Sequence, residues 1–545
     1  MQINRFKNSF SENIFRFKYA QGPEDTWDAL ADRLMEDVCG SRWGKDRPLM
    51  SDEDRAQLAQ YIKEFKFVPG GRYLWYAGRK NSYFNNCFLL RAEEDTREEW
   101  AAITQRAVSC LMTGGGIGID YSILRPSGKP LSRTGGLSSG PIPLMQMINE
   151  VGRGVMQGGS RRSAIYASLN WLHEDIPAFL TAKNWDDETR ARKERDFNAP
   201  APLDMTNISV NYDDKWLYNA DRHKLHTFVQ NCRQAMMTGE PGFSFNFNEK
   251  ENETLRNACT EVTSEDDSDV CNLGSINISN IKTLEEFKSV VSLGSKFLVC
   301  GTLRADLPYD KVYKVREKNR RLGLGLMGIH AWLLQRGYDY EVTPELHEWL
   351  KVYKDESESA ANEHCERLYI SKPVAYRAIA PTGSIGILAG TTTGIEPLFA
   401  VAYKRRYLTD GTKWKYEYVV DTTADQLIKE YGLDPDKIQT AYGLSHDYEK
   451  RIKFQADIQD YVDMSISSTI NLPAWGSKGN SESDVERFAE TLSKYAPRLR
   501  GFTCYPDGCR GGQPLTRVNL DEAIASEGVV FEEKEMECIG GVCGI

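Results

Sequence analysis

From about residue 81 to Leu515, short apolar runs alternate with stretches of helical periodicity, and this restricts the chain to a mixed α/β architecture with much parallel sheet. Cys87–Leu90, Ile117–Tyr121, Ile208–Val210 and Gly242–Phe247 are such runs. No fixed-period repeat is visible, which disfavours solenoids and propellers. Residues 1–80 read as a mostly helical cap. Apolar spacing predicts a helix over Glu24–Val38 that stops near Gly40. FVPGGRYLWYAG (Phe67–Gly78) predicts a turn followed by an aromatic strand. Three parts are therefore expected: a cap over 1–80, a catalytic unit over 81–517, and a flexible tail over 518–545 with little to pack against.

The 68 basic and 78 acidic residues give 68 − 78 = −10, so there is no general positive field for nucleic acid or a membrane surface. The N-terminus lacks the apolar core of a signal peptide, and the best apolar stretch, Ser384–Tyr403, contains Glu396. These features predict a cytoplasmic chain with no membrane or nucleic-acid partner. Twelve cysteines in 545 residues are too few for a disulfide scaffold. Those with a function are expected to act as catalysts, redox couples or metal ligands.

NACTEVTSEDDSDVCNLGSINIS (Asn257–Ser279) concentrates the chemistry. On an extended loop, alternation points Asn257, Cys259 and Glu261 to one side. A carboxylate beside a thiol disfavours thiolate. Cys259 therefore suits hydrogen-atom transfer next to a general base, or else is a structural cysteine in a polar loop. Cys538 and Cys543 flank two glycines in CIGGVC, which lets the sulfurs meet. The pair reads as a thiol–disulfide shuttle, the rival being half of a zinc site. No histidine follows His446, so redox is favoured and no metal is expected. Cys87 and Cys271 each open a short apolar run, which places them at strand starts.

APTGSIGILAGTTTGIEP (Ala380–Pro397) sets Thr382, Gly383, Ser384 and Ile385 in a tight turn whose amides and hydroxyls suit phosphate, or form an ordinary polar turn. TGGGIGID (Thr113–Asp120) is either a close-approach loop or a tight turn. LGLGLMG formally matches the dinucleotide fingerprint, but VREKNRR before it is no buried strand. Its glycines are expected on a packed helix. Asn184–Pro202 mixes both charge signs and reads as a solvated face.

These motifs, with GGSRRSA (Gly158–Ala164), GGRYLW and GFTCYPDGCRGGQPL (Gly501–Leu515), occur in an order that resembles the catalytic subunit of ribonucleotide reductase. The likeness spans about residue 60 to the C-terminus. It points to the adenosylcobalamin-dependent class II, and within it to the monomeric, ribonucleoside-triphosphate reductase-like branch. It implies a ten-stranded α/β barrel of two antiparallel five-stranded halves, with a central finger loop and an N-terminal helical cap. By resemblance, Cys259 becomes a thiyl that takes the ribose 3′ hydrogen, Glu261 is the base and Asn257 holds the substrate hydroxyls. Cys87 and Cys271 supply the reducing equivalents. Cys538 and Cys543 re-reduce them and pass the oxidation to a thioredoxin- or glutaredoxin-like protein. Thr382, Gly383, Ser384 and Ile385 bind the substrate phosphates, and burial of the finger loop shields the radical.

FTCYPDG offers Tyr505 alone where an iron-dependent relay has adjacent tyrosines, and GVCGI lacks a glycyl-radical ending. Elimination leaves adenosylcobalamin as the implied cofactor. The alternatives are the same chain served by a separate radical-generating protein, or an inactive nucleotide-binding regulator. Only 86 residues precede Cys87, which implies no overall dATP shut-off. Asn184–Pro202 falls where a deoxynucleotide effector would tune base choice. The branch implies a monomer or weak dimer, and the substrate is a ribonucleoside di- or triphosphate.

Overall fold

A computed structural model describes residues 5–40, 42–43, 47–133, 135–155, 163–196, 199–409, 413–509, 515–526 and 529–532. Its main sheet has ten strands: β1 (Phe67–Pro69), β2 (Cys87–Arg91), β3 (Gly116–Asp120), β4 (Ile165–Asn170), β5 (Thr206–Tyr212), β6 (Gly242–Phe245), β7 (Asp269–Asn277), β8 (Leu322–Met327), β9 (Thr469–Leu472) and β10 (Gly501–Pro506). The order is β8-β7-β2-β3-β4-β5-β6-β10-β9, with β1 pairing β7 beyond the stretch that β2 takes.

The strands β2 to β6 form a parallel block. Helices Arg97–Met112, Ile142–Gly154 and His226–Thr238 lie in its crossovers, as parallel neighbours require. At one edge β7 runs antiparallel to β2 and carries β8 parallel to itself. At the other, β10 runs antiparallel to β6 and carries β9. All nine residues of β7 and all six of β8 are buried, as in a sheet covered on both faces.

The mixed α/β class holds, but the sheet is an open path rather than the expected closed barrel of two five-stranded halves. Residues 375–379 lie between β8 and the segment just before β9, joined to them by the isolated parallel bridges Leu324–Arg377 and Ile379–Ile466 and by backbone hydrogen bonds such as that from the Ser467 amide to the Ile379 carbonyl at 2.8 Å. Residues 375–379 make no full strand for a local reason. The Asp463 carboxylate accepts from the Tyr376 and Arg377 amides at 2.7 and 2.8 Å, and Pro373 and Pro381 flank the segment.

Four further expectations change. LGLGLMG is strand β8, not a helix. A Cβ on Gly323 would stand 2.3 Å from Leu273 and 3.1 Å from the Cys271 sulfur, so only glycine lets β8 lie this close to β7. FVPGGRYLWYAG splits into β1 and a helix over Gly71–Tyr76. The charged stretch after Asn184 contains a helix, Asp187–Arg195, capped by Asp186 accepting from the Thr189 amide. The acidic stretch after Val518 is ordered at first. Asn519 caps a helix over Leu520–Ala525, Ala523 is buried, and Val530–Glu532 pairs with the strand Lys413–Val420. Cys538 and Cys543, like Gly158–Arg162, lie outside the described residues. No described helix is long and apolar enough to cross a membrane.

Candidate active site

The site forms where β2 meets β7. Cys87 is the first residue of β2 and stands directly opposite Cys271 in the antiparallel register. Opposed residues on such a seam have Cα atoms about 4.5–5.5 Å apart and side chains on one face, within the range a disulfide spans. Both cysteines are reduced and buried. Burial, with the nearby carboxylates and thiols adding to it, holds both well above the usual thiol range. Two protonated thiols face each other.

The segment between β6 and β7 forms a hairpin, Leu255–Arg256 paired with Thr263–Ser264, whose tip is residues 257–262. Hydrogen bonds from three residues seat it. Arg256 is fully buried and donates to the carbonyls of Leu255 and Arg500 at 3.0 Å each and to Asn246 Oδ1 at 2.7 Å. Asn207 donates to the Ala258 carbonyl at 3.2 Å. The Ser465 amide donates to the Glu261 carbonyl at 2.8 Å. A Cβ on Gly118 would stand 1.7 Å from the Arg256 carbonyl oxygen, and one on Gly116 would stand 3.2 Å from Ala258 Cβ. In TGGGIGID, Thr113–Gly115 make the tight turn between helix and strand, with Gly114 at φ 86°, and Gly116 and Gly118 of the strand admit the hairpin.

At the tip, Asn257 Nδ2 donates to Cys87 Sγ at 3.0 Å, and Asn257 Oδ1 accepts from the Val262 amide at 2.9 Å. Cys87 Sγ donates to Glu261 Oε1 at 3.8 Å. Burial raises the Glu261 carboxyl to about 7, against the hydrogen bonds from Asn257 and Cys87. Its Oε2 is buried without a hydrogen-bond partner, so the group is placed to hold a proton near neutrality.

Cys259 departs from expectation. The tip is a turn, closed by the Thr260 amide on the Asn257 carbonyl at 3.0 Å, with Thr260 at φ 70°. Alternation therefore fails. Asn257, Ala258 and Glu261 point into the protein, while Cys259 is exposed on the open side. It remains within electrostatic reach of Cys87, but the described residues do not bury it.

The small apolar cluster around Cys87 and Cys271 extends through Ala375 and Ala378 to Ala380. Thr382 follows in the left-handed region, φ 51°, and opens a short helix, Gly383–Ala389. Thr382 Oγ1 accepts from the Gly394 amide at 2.8 Å, Ile385 is buried, and the space beside Gly383 is open. Lys18, on the helix Ser9–Lys18, donates to Ser384 Oγ at 3.0 Å. It lies 366 residues away in sequence, and no local pattern marks it. Sequence reasoning also missed the buried ions beneath the hairpin. Arg321 donates to Asp269 at 2.6 Å, and Arg500 donates to Glu253 at 2.9 Å. Despite burial, these arginines hold the Glu253 carboxyl down at about 2. A cavity of about 720 Å³ bordered by Val401, Tyr442 and Arg517 is lined by none of these groups.

An α/β sheet thus sets a thiol pair on its antiparallel seam, and a hairpin lays an amide and a carboxyl on one of them. Residues 85–216, 205–349 and 374–498 match the family described as "Ribonucleotide reductase, barrel domain", and the chain belongs to that family. It is 26% identical to a vitamin B12-dependent ribonucleoside-diphosphate reductase of Mycobacterium tuberculosis, over 96% of this chain and 81% of that protein. It is 24% identical to a putative adenosylcobalamin-dependent ribonucleoside-triphosphate reductase of Mycobacterium phage D29, over 96% of each. Two solved structures share the fold at a TM-score of 0.70 and 16% identity. One is a B-12 dependent (class II) ribonucleotide reductase, covering 94% of this chain and 93% of that one. The other is an Actinobacillus ureae class Id ribonucleotide reductase alpha subunit, covering 93% and 98%.

Proposed function

We propose that the chain reduces ribonucleoside di- or triphosphates to 2′-deoxyribonucleotides by thiyl-radical chemistry, with adenosylcobalamin as the radical source. The observation that carries this reading is the convergence of Asn257 and Glu261 on Cys87, itself opposite Cys271. Cys259 takes the ribose 3′ hydrogen, Glu261 receives the 3′-hydroxyl proton and Asn257 orients the hydroxyls. Cys87 and Cys271 then deliver two reducing equivalents and close to a disulfide as the 2′-hydroxyl leaves as water. The phosphates lie at Thr382–Ile385 beside Lys18. Cys538 and Cys543 reopen the disulfide and are themselves reduced by a thioredoxin- or glutaredoxin-like protein, and a deoxynucleotide effector acts through Asn184–Pro202.

When bound, adenosylcobalamin supplies a one-electron oxidant for a thiol. The residues present fit it, because Cys259 is exposed and reachable from the open side. The catalytic unit extends over 81–517, behind the cap over 1–80 and ahead of the tail.

The deciding experiment gives the purified chain a ribonucleotide, a small dithiol and adenosylcobalamin. Deoxynucleotide formed only with the cofactor supports the reading. The equal likeness to a class Id alpha subunit favours one alternative, a separate radical-generating protein, and turnover that strictly needs a second protein would select it.

A further inference from the structure

The hairpin that carries Asn257 and Glu261 returns to the sheet through two fully buried hydroxyls, and each ends on a carboxylate. Thr263 Oγ1 donates to Glu253 Oε2 at 2.8 Å, and Ser264 Oγ donates to Asp269 Oδ2 at 2.6 Å. Neither carboxylate stands alone. Arg500 donates to Glu253 Oε2 at 2.9 Å. Arg321 donates to Asp269 Oδ2 at 2.6 Å, and Asn319 donates to the same oxygen at 2.9 Å. A second Arg321 nitrogen lies 3.7 Å from Glu253 Oε1. Arg321 immediately precedes β8 and Arg500 immediately precedes β10. These strands lie toward opposite ends of the open sheet, so Glu253 joins both flanks to the base of one hairpin.

Setting ions in so dry a place is costly, and apolar side chains of like volume often pack at least as well. What the ions add is direction, because a hydroxyl on a charged acceptor is held more tightly than one on a neutral oxygen. That direction passes along a short span of chain. Val262, next to Thr263, is the residue whose amide donates to Asn257 Oδ1. Glu261, next again, accepts from the Cys87 thiol at 3.8 Å. Burial raises the Glu261 carboxyl to about 7, so the placement of the tip has a titratable reporter.

We propose that Thr263 and Ser264 are positioning residues: their hydroxyls, fixed on carboxylates that Arg500 and Arg321 hold, set the tip so that Asn257 and Glu261 meet Cys87. The contribution of these contacts to turnover rests on the reductase reading above.

The test removes each hydroxyl in the full chain. Thr263→Val keeps the shape of the side chain and loses only its donor. Ser264→Ala removes the neighbouring hydroxyl, together with the acceptor that the Asp266 amide reaches at 3.1 Å. The Glu261 carboxyl is read by its infrared band, isolated by subtracting the spectrum of the matching Glu261→Gln protein, and followed with pH. This measurement needs no turnover. A loosened tip admits water to Glu261, so in each variant its midpoint should fall from about 7 to about 6 or below. Thr263→Ser should restore it. With turnover, kcat should fall roughly tenfold in Thr263→Val, the effect of one lost charge-assisted hydrogen bond. KM should change little, because the phosphate turn at Thr382–Ile385 is untouched. Failure of the wild-type chain to form deoxynucleotide overturns the reductase reading, while the infrared result still decides the positioning role. An unchanged Glu261 midpoint in folded Thr263→Val and Ser264→Ala overturns that role, as does a fall that Thr263→Ser does not reverse. Loss of the fold in both variants overturns it too, since the contacts then serve stability alone.

Discussion

Cys87 and Cys271 occupy opposed positions across the one seam where β7 turns antiparallel to the five-stranded block. Each thiol sits on a different strand, and the register makes the two residues direct partners. With ribonucleotide and a radical source but no external reductant, peptide mapping should find this link after about one turnover. Cys271→Ser, nearly isosteric, should fold and lose steady turnover. Persistent multiple turnover by that variant would exclude the pair as the reductant.

The Glu261 carboxyl titrates at about 7 in the folded chain against 4.5 when exposed. The proposed mechanism needs Glu261 ionised, so kcat/KM should fall as pH drops below about 7. Stability runs the other way. The folded state binds this proton more tightly than the unfolded state, so the contribution is complete below pH 4.5 and is lost as pH rises through 7. Glu261→Gln removes the titration. Chemical denaturation should show wild type losing on the order of 3 kcal/mol relative to the variant across that window. Parallel pH profiles for the two proteins would contradict the burial argument.

Gly118 has no room for a methyl group, since its Cβ would meet the Arg256 carbonyl at 1.7 Å. Gly118→Ala should cost about 1–3 kcal/mol and lower kcat by displacing the Asn257–Glu261 tip. Gly154→Ala, with open space at its Cβ, serves as the matched control and should leave both unchanged. Equal effects of the two substitutions, read by denaturation and initial rates, would remove the close approach from the account.

Lys18 reaches Ser384 Oγ from an exposed position, where a charged contact is worth about 1 kcal/mol or less. Lys18→Ala should raise KM for the nucleotide roughly threefold to fivefold, with little change in kcat, and Lys18→Arg should recover part of the loss. A kcat effect with constant KM would argue against a phosphate role.

Local pattern was sufficient for what short-range chemistry decides. The apolar runs at Cys87, Ile117, Ile208 and Gly242 became strands in a largely parallel sheet, and the NACTE segment did bring Asn257 and Glu261 to Cys87. What was illegible depended on contacts made far along the chain. Gly323 and Gly325 read as helix glycines because β7, against which they pack, is a distant segment. Cys259 failed the alternation rule because Thr260 adopts a left-handed backbone that no residue type there advertises. Lys18 carries no motif at all. The acidic residues after Val518 looked unpartnered because the strand they join, Lys413–Val420, lies a hundred residues earlier.

The strand β1 pairs with Gly274–Ile276 of β7, immediately beyond the stretch that pairs with β2 and holds Cys271. Through Phe67–Pro69 the N-terminal segment is thereby hydrogen-bonded into the main sheet. Cutting the chain just after Pro69 would strip the pairing partner from Gly274–Ile276, on the strand that carries Cys271, so the segment before the cut cannot be removed without unpairing part of that strand.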